Sequence, residues 1–468
     1  MKKKFIYICG FTIIAVISYL TLNIFIGSDI SQKIFSKINI ETKKNIKKTL
    51  FTYRYIKFLE DKTERLEYEN YNLNHEVIAV KNEIDIINTG KDLIFYKLPE
   101  NKKIKIINED LELEIFTNQF NKISKGIYYH NHKSAFVDHY KNDIILVSAA
   151  GIIAFSNKTF DKKIKFTQIQ NNIFDFIDQN DLIVKHSSIK DILIHENKIF
   201  ISFTKEVKKN CWNTSVIMGN FNYEKIKFKK LFSPIECIKK HLNYMYLQSG
   251  GAMSGFNENN IFLSIGDYRL RDKAQNLDSN YGKLLKINID TKKSKLVSLG
   301  HRNIQGVFYN KNKNYIIHTE HGPQGGDEIN INQEYFSKIK NFGWPISSYG
   351  EHYGFPLKNN NELYKKYPLH KSHKKYGFEE PIKYFVPSIG IGKIEKISEN
   401  QFVFSGMKSQ ELHFIRLDDG INISDHFKIQ INERIRDITF DKSQKKLYLY
   451  LEINGSLGIL DLKKLINN

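Results

Sequence analysis

The run DILIHENKIFISF, residues 191–203, decides the fold. Apolar residues dominate both of its halves, and the polar pair Glu196-Asn197 separates them. Short segments rich in Ile and Phe on either side of an Asn-containing turn are typical of a β-hairpin. The run therefore predicts two antiparallel strands joined by a tight turn.

The same order of strand, polar turn and strand recurs along the chain beyond residue 90. The copies are Ala135–Val147 around Asn142-Asp143, Asp191–Phe203 around Glu196-Asn197, Gly255–Ile265 around Glu258-Asn259, Gly306–His318 around Lys311-Asn312-Lys313, Ile394–Phe404 around Glu399-Asn400, and Asp437–Leu449 around Lys442-Ser443. The turns mostly follow one another at about 45 to 60 residues, near the period of four-stranded propeller blades, and one longer interval can hold an insertion. The pattern predicts an all-β, six-bladed β-propeller over residues 101–468, with an irregular β-sandwich as the alternative.

The composition favours a folded β-rich body over a nucleic-acid-binding protein. Of the 468 residues, 41% are hydrophobic and 13% are aromatic, and the formal net charge is +20. The lysines are scattered and no arginine-rich stripe stands out, so the positive charge is interpreted as a solvated surface. We expect no nucleic-acid partner.

The chain has three cysteines, and Cys9 lies in the apolar N-terminal segment. Cys211 and Cys237 are therefore the only pair within the body that can form a disulfide. Their separation suits a loop-closing bridge in an oxidising compartment, and two buried free thiols are the alternative.

Residues 5–27 form an uncharged apolar run that follows Lys2, Lys3 and Lys4. As a helix, this run is long enough to cross a bilayer core of about 30 Å, and it is longer than the apolar region of a cleaved signal peptide, which is the alternative. Positive residues favour a cytoplasmic location for residues 1–4, which places the rest of the chain on the periplasmic or extracytoplasmic side. The sequence predicts a single-pass membrane anchor.

Residues 28–100 are predicted to form a helical stalk or linker. Between residues 41 and 86 the chain lacks Pro and Gly and carries many charges. Its apolar seam consists of Ile56, Leu59, Leu66 and Leu73. Such a seam predicts either a coiled coil in a homodimer or an amphipathic helix that lies on another surface.

The middle of the chain contains several unusual motifs in a fixed order. They are QSGGAM (248–253), LSIGD (263–267), GHRNIQG (300–306), HTEHGPQGGDEIN (318–330) and NFGWP (341–345). In order and spacing this constellation resembles the pyrroloquinoline quinone (PQQ) dependent soluble aldose sugar dehydrogenases, the glucose/sorbosone dehydrogenase family. The resemblance covers residues 240–460 well and residues 105–240 weakly.

The resemblance implies a quinoprotein that oxidises an aldose-type sugar or a related alcohol. PQQ carries three carboxylates and an electrophilic quinone carbonyl, so its site needs fixed cations and a hard metal ion. The cofactor contacts that the resemblance implies are Arg302, Asn303, Tyr353, Lys408, Arg434 and Arg436.

The resemblance also implies two calcium sites. The carbonyl oxygens of Gly322 and Pro323 match the ligands of the ion that polarises the quinone. Glu328 and the carbonyl oxygen of Phe342 match a second, structural site, and Phe342 replaces the usual Tyr of the family. Calcium prefers oxygen ligands of these kinds.

One expected catalytic group is missing. The family uses a His as the general base, and the matching position here is Gln248; Ala252 replaces the Arg that follows. Glutamine cannot accept a proton at any relevant pH. A base supplied from elsewhere, for example His301, His318 or His321, would preserve the activity.

These observations leave three interpretations of the body. It is an active sugar dehydrogenase with a different base, or a degenerate propeller that binds PQQ or a sugar without turning it over. The third is a structural or protein-binding propeller that keeps the motifs for packing, since fold does not imply function.

Overall fold

The computed structural model describes residues 39, 41, 52, 55–67, 70, 90, 92–99, 102–106, 109–118, 134–157, 161–178, 182, 188–239, 247–333, 337–418 and 421–467. The chain divides into two compact units, Met1–Ile78 and Ala79–Asn468. In the first unit, residues 55–67 are helical.

The predicted membrane anchor, residues 5–27, lies outside the described residues. Within the part of the chain that the structure does describe, no helix combines the length and the apolar composition that a membrane crossing requires.

The second unit is built almost entirely from β-strands. Its described strands are β1 (Leu93–Lys97), β2 (Lys102–Ile106), β3 (Glu109–Asn118), β4 (Ala135–Tyr140), β5 (Asp143–Ser148), β6 (Ile153–Asn157), β7 (Lys163–Gln168), β8 (Gln170–Asn171), β9 (Ser188–His195), β10 (Lys198–Lys208), β11 (Cys211–Asn220), β12 (Lys225–Ile226), β13 (Lys229–Phe232), β14 (Ile238–Lys239), β15 (Gly250–Asn257), β16 (Asn260–Ile265), β17 (Lys283–Asn288), β18 (Ser294–Leu299), β19 (Ile304–Asn310), β20 (Tyr315–Glu320), β21 (Asp327–Asn332), β22 (Lys340–Asn341), β23 (Lys383–Phe385), β24 (Ile391–Lys396), β25 (Gln401–Gly406), β26 (Glu411–Asp418), β27 (Asn422–Gln430), β28 (Ile435–Asp441), β29 (Lys446–Leu451) and β30 (Ser456–Asp461). The helical elements are α1 (Asn361–Lys366), α2 (Lys463–Asn467) and the 3-10 turns Ile173–Asp175, Arg271–Gln275 and Lys374–Tyr376.

Most of these strands pair into four-stranded antiparallel sheets, numbered here by their first strands. They are sheet 1 (β4-β5-β6-β7), sheet 2 (β9-β10-β11-β13), sheet 3 (β15-β16-β17-β18), sheet 4 (β19-β20-β21-β23), sheet 5 (β24-β25-β26-β27) and sheet 6 (β28-β29-β30-β3). The first strand of each sheet contacts the first strand of the next, and β28 contacts β4. Sheets repeated around a common axis in this way are propeller-like, so the prediction of an all-β, propeller-like body is confirmed.

The hairpins predicted from the polar turns are all present. Each is formed by the first two strands of a sheet: β4–β5, β9–β10, β15–β16, β19–β20, β24–β25 and β28–β29. The long interval between the fourth and fifth turns contains α1 and the 3-10 turn Lys374–Tyr376. This insertion carries several side chains of the candidate site.

Apolar side chains fill the space between neighbouring sheets. Along β10, Ile199 and Ile201 belong to the cluster shared with sheet 1, whereas Phe200 belongs to the cluster shared with sheet 3. Successive side chains of a strand point to opposite faces, so a strand buried on both faces is apolar at consecutive positions. This explains why several strands, including the two in the run ILIHENKIFISF around the second turn, do not alternate strictly between apolar and polar residues.

Aspartates on the first strands tie neighbouring sheets together. The carboxylate of Asp437 accepts a hydrogen bond from the backbone N–H of Val137 at 2.8 Å, and Asp191 accepts one from Met253 at 2.8 Å. Lys393 of β24 reaches both carboxylates, with its Nζ 3.5 Å from Asp191 and 3.3 Å from Asp437. A buried ionic cluster therefore joins sheets 2, 5 and 6.

Cys211 and Cys237 form a disulfide, with their Cα atoms 5.3 Å apart. Cys211 begins β11, and Cys237 immediately precedes β14, which pairs with the start of β11. Of the two alternatives that the sequence left open, the bridge is therefore the one found.

Replacing both cysteines with serine is expected to lower the free energy of unfolding by about 3 kcal/mol, because the bridge restricts the unfolded chain. Urea denaturation of the wild type and of the Cys211→Ser/Cys237→Ser variant measures this loss. A reductant should shift the wild-type midpoint to that of the variant. An oxidised wild type whose midpoint does not respond to the reductant would show that the bridge does not contribute.

Candidate functional site

Arg302 is the centre of the candidate site. It lies between β18 and β19, and only 4% of its surface is exposed. One guanidinium nitrogen, Nη1, donates to the carbonyl oxygen of His321 at 3.0 Å, and Nη2 donates to the hydroxyl of Tyr353 at 3.0 Å. The guanidinium also lies 5.5 Å from the ring centre of Trp344. Two of the predicted cofactor contacts, Arg302 and Tyr353, are thus side by side.

Gln248 occupies the position of the expected base and contacts the same arginine. In the amide orientation that satisfies both neighbours, its nitrogen donates to Oδ1 of Asp267 at 3.0 Å and its oxygen accepts from Arg302 Nη2 at 2.9 Å. Its backbone has a φ of +53°, and a Cβ at the neighbouring Gly266 would lie 2.0 Å from the carbonyl oxygen of Gln248. The close approach of the two segments therefore requires glycine at position 266.

Asp267 is the buried carboxylate behind Gln248. Its other oxygen, Oδ2, accepts a hydrogen bond from the indole N–H of Trp344 at 2.8 Å. Burial raises the pKa of Asp267, while Arg302 acts in the opposite direction. The carboxylate can thus orient a polar group at position 248.

Asn303 connects the first motif to the third. Its side-chain oxygen accepts a hydrogen bond from the backbone N–H of Gly250 at 3.0 Å. Its amide nitrogen lies 3.4 Å from Nδ1 of His321. Asn303 therefore belongs to the same cluster as Arg302, and the QSGGAM turn is positioned by it.

The three histidines considered as alternative bases differ in their surroundings. His301 is fully buried, and its ring nitrogens lie 2.8 Å from Ser298 Oγ and 2.9 Å from Glu320 Oε2. His318 is also fully buried, and burial lowers its pKa well below the usual value, with His301 adding to the effect. Neither ring can reach a substrate without disrupting the core.

His321 is the histidine that lies within the cluster, and it is partly exposed. Burial lowers its pKa; Asp327 acts in the opposite direction, and Arg302 and Arg434 lower the pKa further. A neutral imidazole can accept a proton. Both arginines therefore act on the same ring.

Arg434 and Arg436 share one carboxylate, that of Glu452. Nε of Arg434 lies 2.6 Å from Glu452 Oε2, and Nε of Arg436 lies 2.8 Å from Oε1. Burial favours the neutral form of Glu452, but Arg436 and Arg434 outweigh it and hold its pKa at about 2. One carboxylate therefore holds both guanidinium groups in place.

Replacing Glu452 with glutamine is expected to lower the free energy of unfolding by roughly 3 kcal/mol at neutral pH. A carboxylate whose folded-state pKa is depressed stabilises the fold above its unfolded pKa of about 4.3, and this contribution is lost as the pH falls toward the folded-state value of about 2. The difference between wild type and Glu452→Gln should therefore shrink below about pH 4. Thermal denaturation across this range measures it, and a pH-independent difference would contradict the ionic account.

Lys190 adds a further basic group beside this pair. It lies on β9, and burial, followed by Arg436, lowers its pKa to about 7. The sequence motifs did not indicate Lys190.

Lys408 is exposed and lies in the turn after β25. Its backbone N–H donates to the carbonyl oxygen of Ile389 at 2.8 Å, beside Gly390. Asp327 accepts hydrogen bonds from the backbone N–H groups of Gly390 at 2.7 Å and of Gly322 at 3.1 Å. Asp327 therefore links the turn that carries Lys408 to the loop of the first predicted calcium site.

The loop of Gly322 and Pro323 suits a hard cation. Among the described residues, no hydrogen bond ends on the carbonyl oxygen of either residue. A Cβ at position 322 would lie 2.0 Å from the carbonyl oxygen of Gly326, so the bend requires glycine. Backbone oxygens that lack a donor in a fixed bend are ligands that calcium accepts. The residues at this first site fit the ion.

The second predicted calcium site contains a histidine ring. Nδ1 of His373 lies 3.0 Å from the carbonyl oxygen of Phe342, and Nε2 lies 3.2 Å from Oε1 of Glu328. Burial lowers the pKa of His373, but Glu328 outweighs burial and raises it above the usual value. Both groups predicted to bind the ion contact the imidazole instead, so the residues here do not fit a metal ion.

Several residues of the cluster were not predicted as site residues. Asp267 and Trp344 lie within the motifs, but the motifs alone indicate no role for them. Glu452, Lys190 and His373 lie outside the motifs, and each meets its partner through the tertiary fold. No local pattern could have found them.

Comparison with known proteins identifies the relatives of this chain. The family model for glucose/sorbosone dehydrogenases matches residues 185–460, which is more than half of the chain. The aldose sugar dehydrogenase YliI of Escherichia coli is 28% identical over 233 residues, 45% of this chain and 58% of that protein. An uncharacterized protein of Synechocystis is 28% identical over 212 residues, 41% of this chain and 48% of that protein. The alignments thus span about half the length of these curated relatives.

Solved structures share the fold. The soluble aldose sugar dehydrogenase of Escherichia coli, in its apo-form, has a TM-score of 0.55 at 19% identity and covers 72% of this chain and 97% of its own. The PQQ-bound aldose sugar dehydrogenase of Streptomyces coelicolor has a TM-score of 0.51 at 14% identity, and it covers 80% of this chain and 98% of its own. At these identities the likeness shows the fold alone.

Proposed function

Because the chain belongs to the glucose/sorbosone dehydrogenase family, we propose that it is a quinoprotein that binds PQQ and calcium and oxidises an aldose-type sugar or a related alcohol. The observation that carries this proposal is the position of Arg302. Its guanidinium is held between Gln248, the carbonyl of His321 and the Tyr353 hydroxyl. A buried, fixed cation of this kind is suited to an anionic ligand.

The surrounding charges support a polyanionic ligand. Arg434 and Arg436 supply two guanidinium groups that Glu452 holds in place, and Lys408 extends from the turn that is linked to Gly322. Tyr353 is 53% exposed, so its ring lies at the open side of Arg302. When bound, PQQ would supply the two-electron acceptor of the oxidation. These side chains would hold its carboxylates, and calcium would bind at the carbonyls of Gly322 and Pro323.

His321 is the residue that we propose as the proton acceptor. It is kept neutral by burial and by the two arginines, and its carbonyl is bonded to Arg302. Gln248 cannot take this role, but it can position the substrate or Arg302 through its amide.

A second candidate function is binding without turnover. The observation that favours it is the amide of Gln248, which is bonded to both Asp267 and Arg302 at the place of the expected base. Reconstitution with PQQ and calcium, followed by a dye-reduction assay with aldoses, distinguishes the dehydrogenase from a protein that binds without turnover. Dye reduction supports the dehydrogenase, whereas a bound chromophore without dye reduction supports the binding protein. A chain that binds no PQQ would instead support a structural or protein-binding propeller.

We also propose six blades for the propeller and an extracytoplasmic location for it. The closed order of first-strand contacts supports six blades. The apolar run 5–27 supports a membrane anchor, and the disulfide supports an oxidising compartment. Protease treatment of intact cells should cleave the body if it is outside, and protection from the protease would contradict this location.

A homodimer is the remaining proposal. Ile56, Leu59 and Leu66 on the helical residues 55–67 are exposed by about half of their surface, and an apolar seam at this spacing is typical of helix pairing. Chemical crosslinking of the full chain tests it, and a monomer at all concentrations would contradict it.

A further inference from the structure

We propose that the side chain of His373 takes the place of the second calcium ion, so that this chain binds no metal ion between Glu328 and Phe342. This inference concerns the architecture of the site and holds whether or not the protein oxidises sugars. It rests on the positions of three groups. The imidazole lies between the Glu328 carboxylate and the Phe342 carbonyl, 3.2 Å from the former and 3.0 Å from the latter.

The ring leaves no space for an ion. Calcium requires six to eight oxygen ligands at about 2.3–2.6 Å. Here the ring nitrogens contact the same two oxygens, and the ring is only 2% exposed. Tyr349 stacks on it with 5.5 Å between ring centres. The side chain would have to leave its packed position before an ion could approach either oxygen.

The ring can perform the structural task of an ion. Nδ1 of the ring lies at hydrogen-bond distance from the Phe342 carbonyl oxygen, and Nε2 lies against the Glu328 carboxylate, so one side chain joins the two groups. Glu328 belongs to β21, whereas Phe342 and His373 belong to the insertion between β21 and β23. The contacts therefore fasten this insertion, which carries Trp344 and Tyr353, to sheet 4 without a metal ion.

Calcium-dependent stability of the full-length protein tests the proposal without PQQ or substrate. The thermal midpoint is measured in EDTA and at roughly 10 mM calcium, well above a Kd of about 10⁻³ M for a weak site. The wild type and Glu328→Gln should show the same calcium shift, since Glu328 binds no ion. His373→Ala should gain an additional rise of about 2 °C because Glu328 is then free to bind calcium. The double variant His373→Ala/Glu328→Gln should lack this gain.

His413→Ala is the matched control. His413 is also 2% exposed and lies 3.4 Å from a carboxylate, that of Glu411, but Glu411 keeps an ion pair with Lys428 at 2.7 Å. This variant should therefore gain no calcium response.

Two results would overturn the inference. One is a wild-type calcium shift that Glu328→Gln abolishes, which would show that an ion binds there despite the ring. The other is a folded His373→Ala variant with no gain. If His373→Ala does not fold, equilibrium dialysis measures the number of calcium ions bound per chain. The proposal requires the same number for the wild type and for Glu328→Gln.

Discussion

Replacing Gln248 with histidine is expected to raise the turnover number of the PQQ- and calcium-loaded protein by a factor of about 10²–10⁴, the usual contribution of a general base. Asp267 is the reason that a histidine can work here. Its Oδ1 lies 3.0 Å from the amide nitrogen of Gln248, so it can accept a hydrogen bond from one ring nitrogen. The other nitrogen would take the place of the amide oxygen and could accept the substrate proton, while Arg302 Nη2 keeps its hydrogen bond to Tyr353.

Steady-state dye reduction with an aldose measures the gain. Gln305→His is a suitable control, since the Gln305 amide donates to Asn303 and, among the residues that the structure describes, to no carboxylate. The same assay tests His321: His321→Gln should lower the residual wild-type rate and should matter less in the Gln248→His background. A Gln248→His protein that binds PQQ but turns over no faster than the wild type would remove this explanation.

Replacing Lys393 with methionine is expected to lower the free energy of unfolding by about 3–5 kcal/mol at neutral pH, the cost of leaving buried charges without their partner. Lys393 compensates Asp191 and Asp437, and the Asp138 and Glu395 carboxylates also act on it. Burial raises the pKa of Asp437 to about 7 and that of Glu395 to about 8, even with the lysine present. Methionine keeps the volume of the side chain but supplies no charge.

The stability that Lys393→Met loses should increase as the pH rises. Carboxyl groups whose folded-state pKa is raised stabilise the fold below their unfolded pKa of about 4, and this stability is lost as the pH rises through about 7 to 8. The defect of Lys393→Met should therefore be smaller at about pH 5 than at about pH 8. Lys396→Met, on the same strand, should cost less than about 0.5 kcal/mol, because the Lys396 Nζ contacts a neutral amide oxygen, that of Asn310 at 3.4 Å, and not a pair of carboxylates. A variant as stable as the wild type, or a defect that grows in acid, would contradict this role of Lys393.

The sequence predicted the parts of the fold that depend on neighbouring residues. A hairpin needs only two apolar segments and a turn between them, so the pairs from β4–β5 to β28–β29 could be recognised. Sheet 6 could not, because its fourth strand is β3. Thr117 on β3 and Ser456 on β30 lie 3.0 Å apart although 339 positions separate them. Nothing local in either segment indicates such a partner.

The same distinction applies to the candidate site. Arg302, Asn303, Gly322 and Tyr353 came from motifs whose order carries the resemblance. The surroundings that give them their chemistry came from the fold: Glu452 compensates Arg434 and Arg436, and His373 joins Glu328 to Phe342. Motif order led to the prediction that Glu328 and Phe342 bind a second calcium ion, but it could not predict that an imidazole lies between them.

Titration of the purified full-length protein with PQQ, in the presence of calcium and followed by absorption, tests the central claim most directly. The account predicts saturation at one PQQ per chain. It also predicts binding at least about tenfold weaker for Arg302→Ala, since a hydrogen bond to a charged group contributes about 1.5–3 kcal/mol. An absorption spectrum that does not change on mixing, or an affinity that is the same without Arg302, would contradict it.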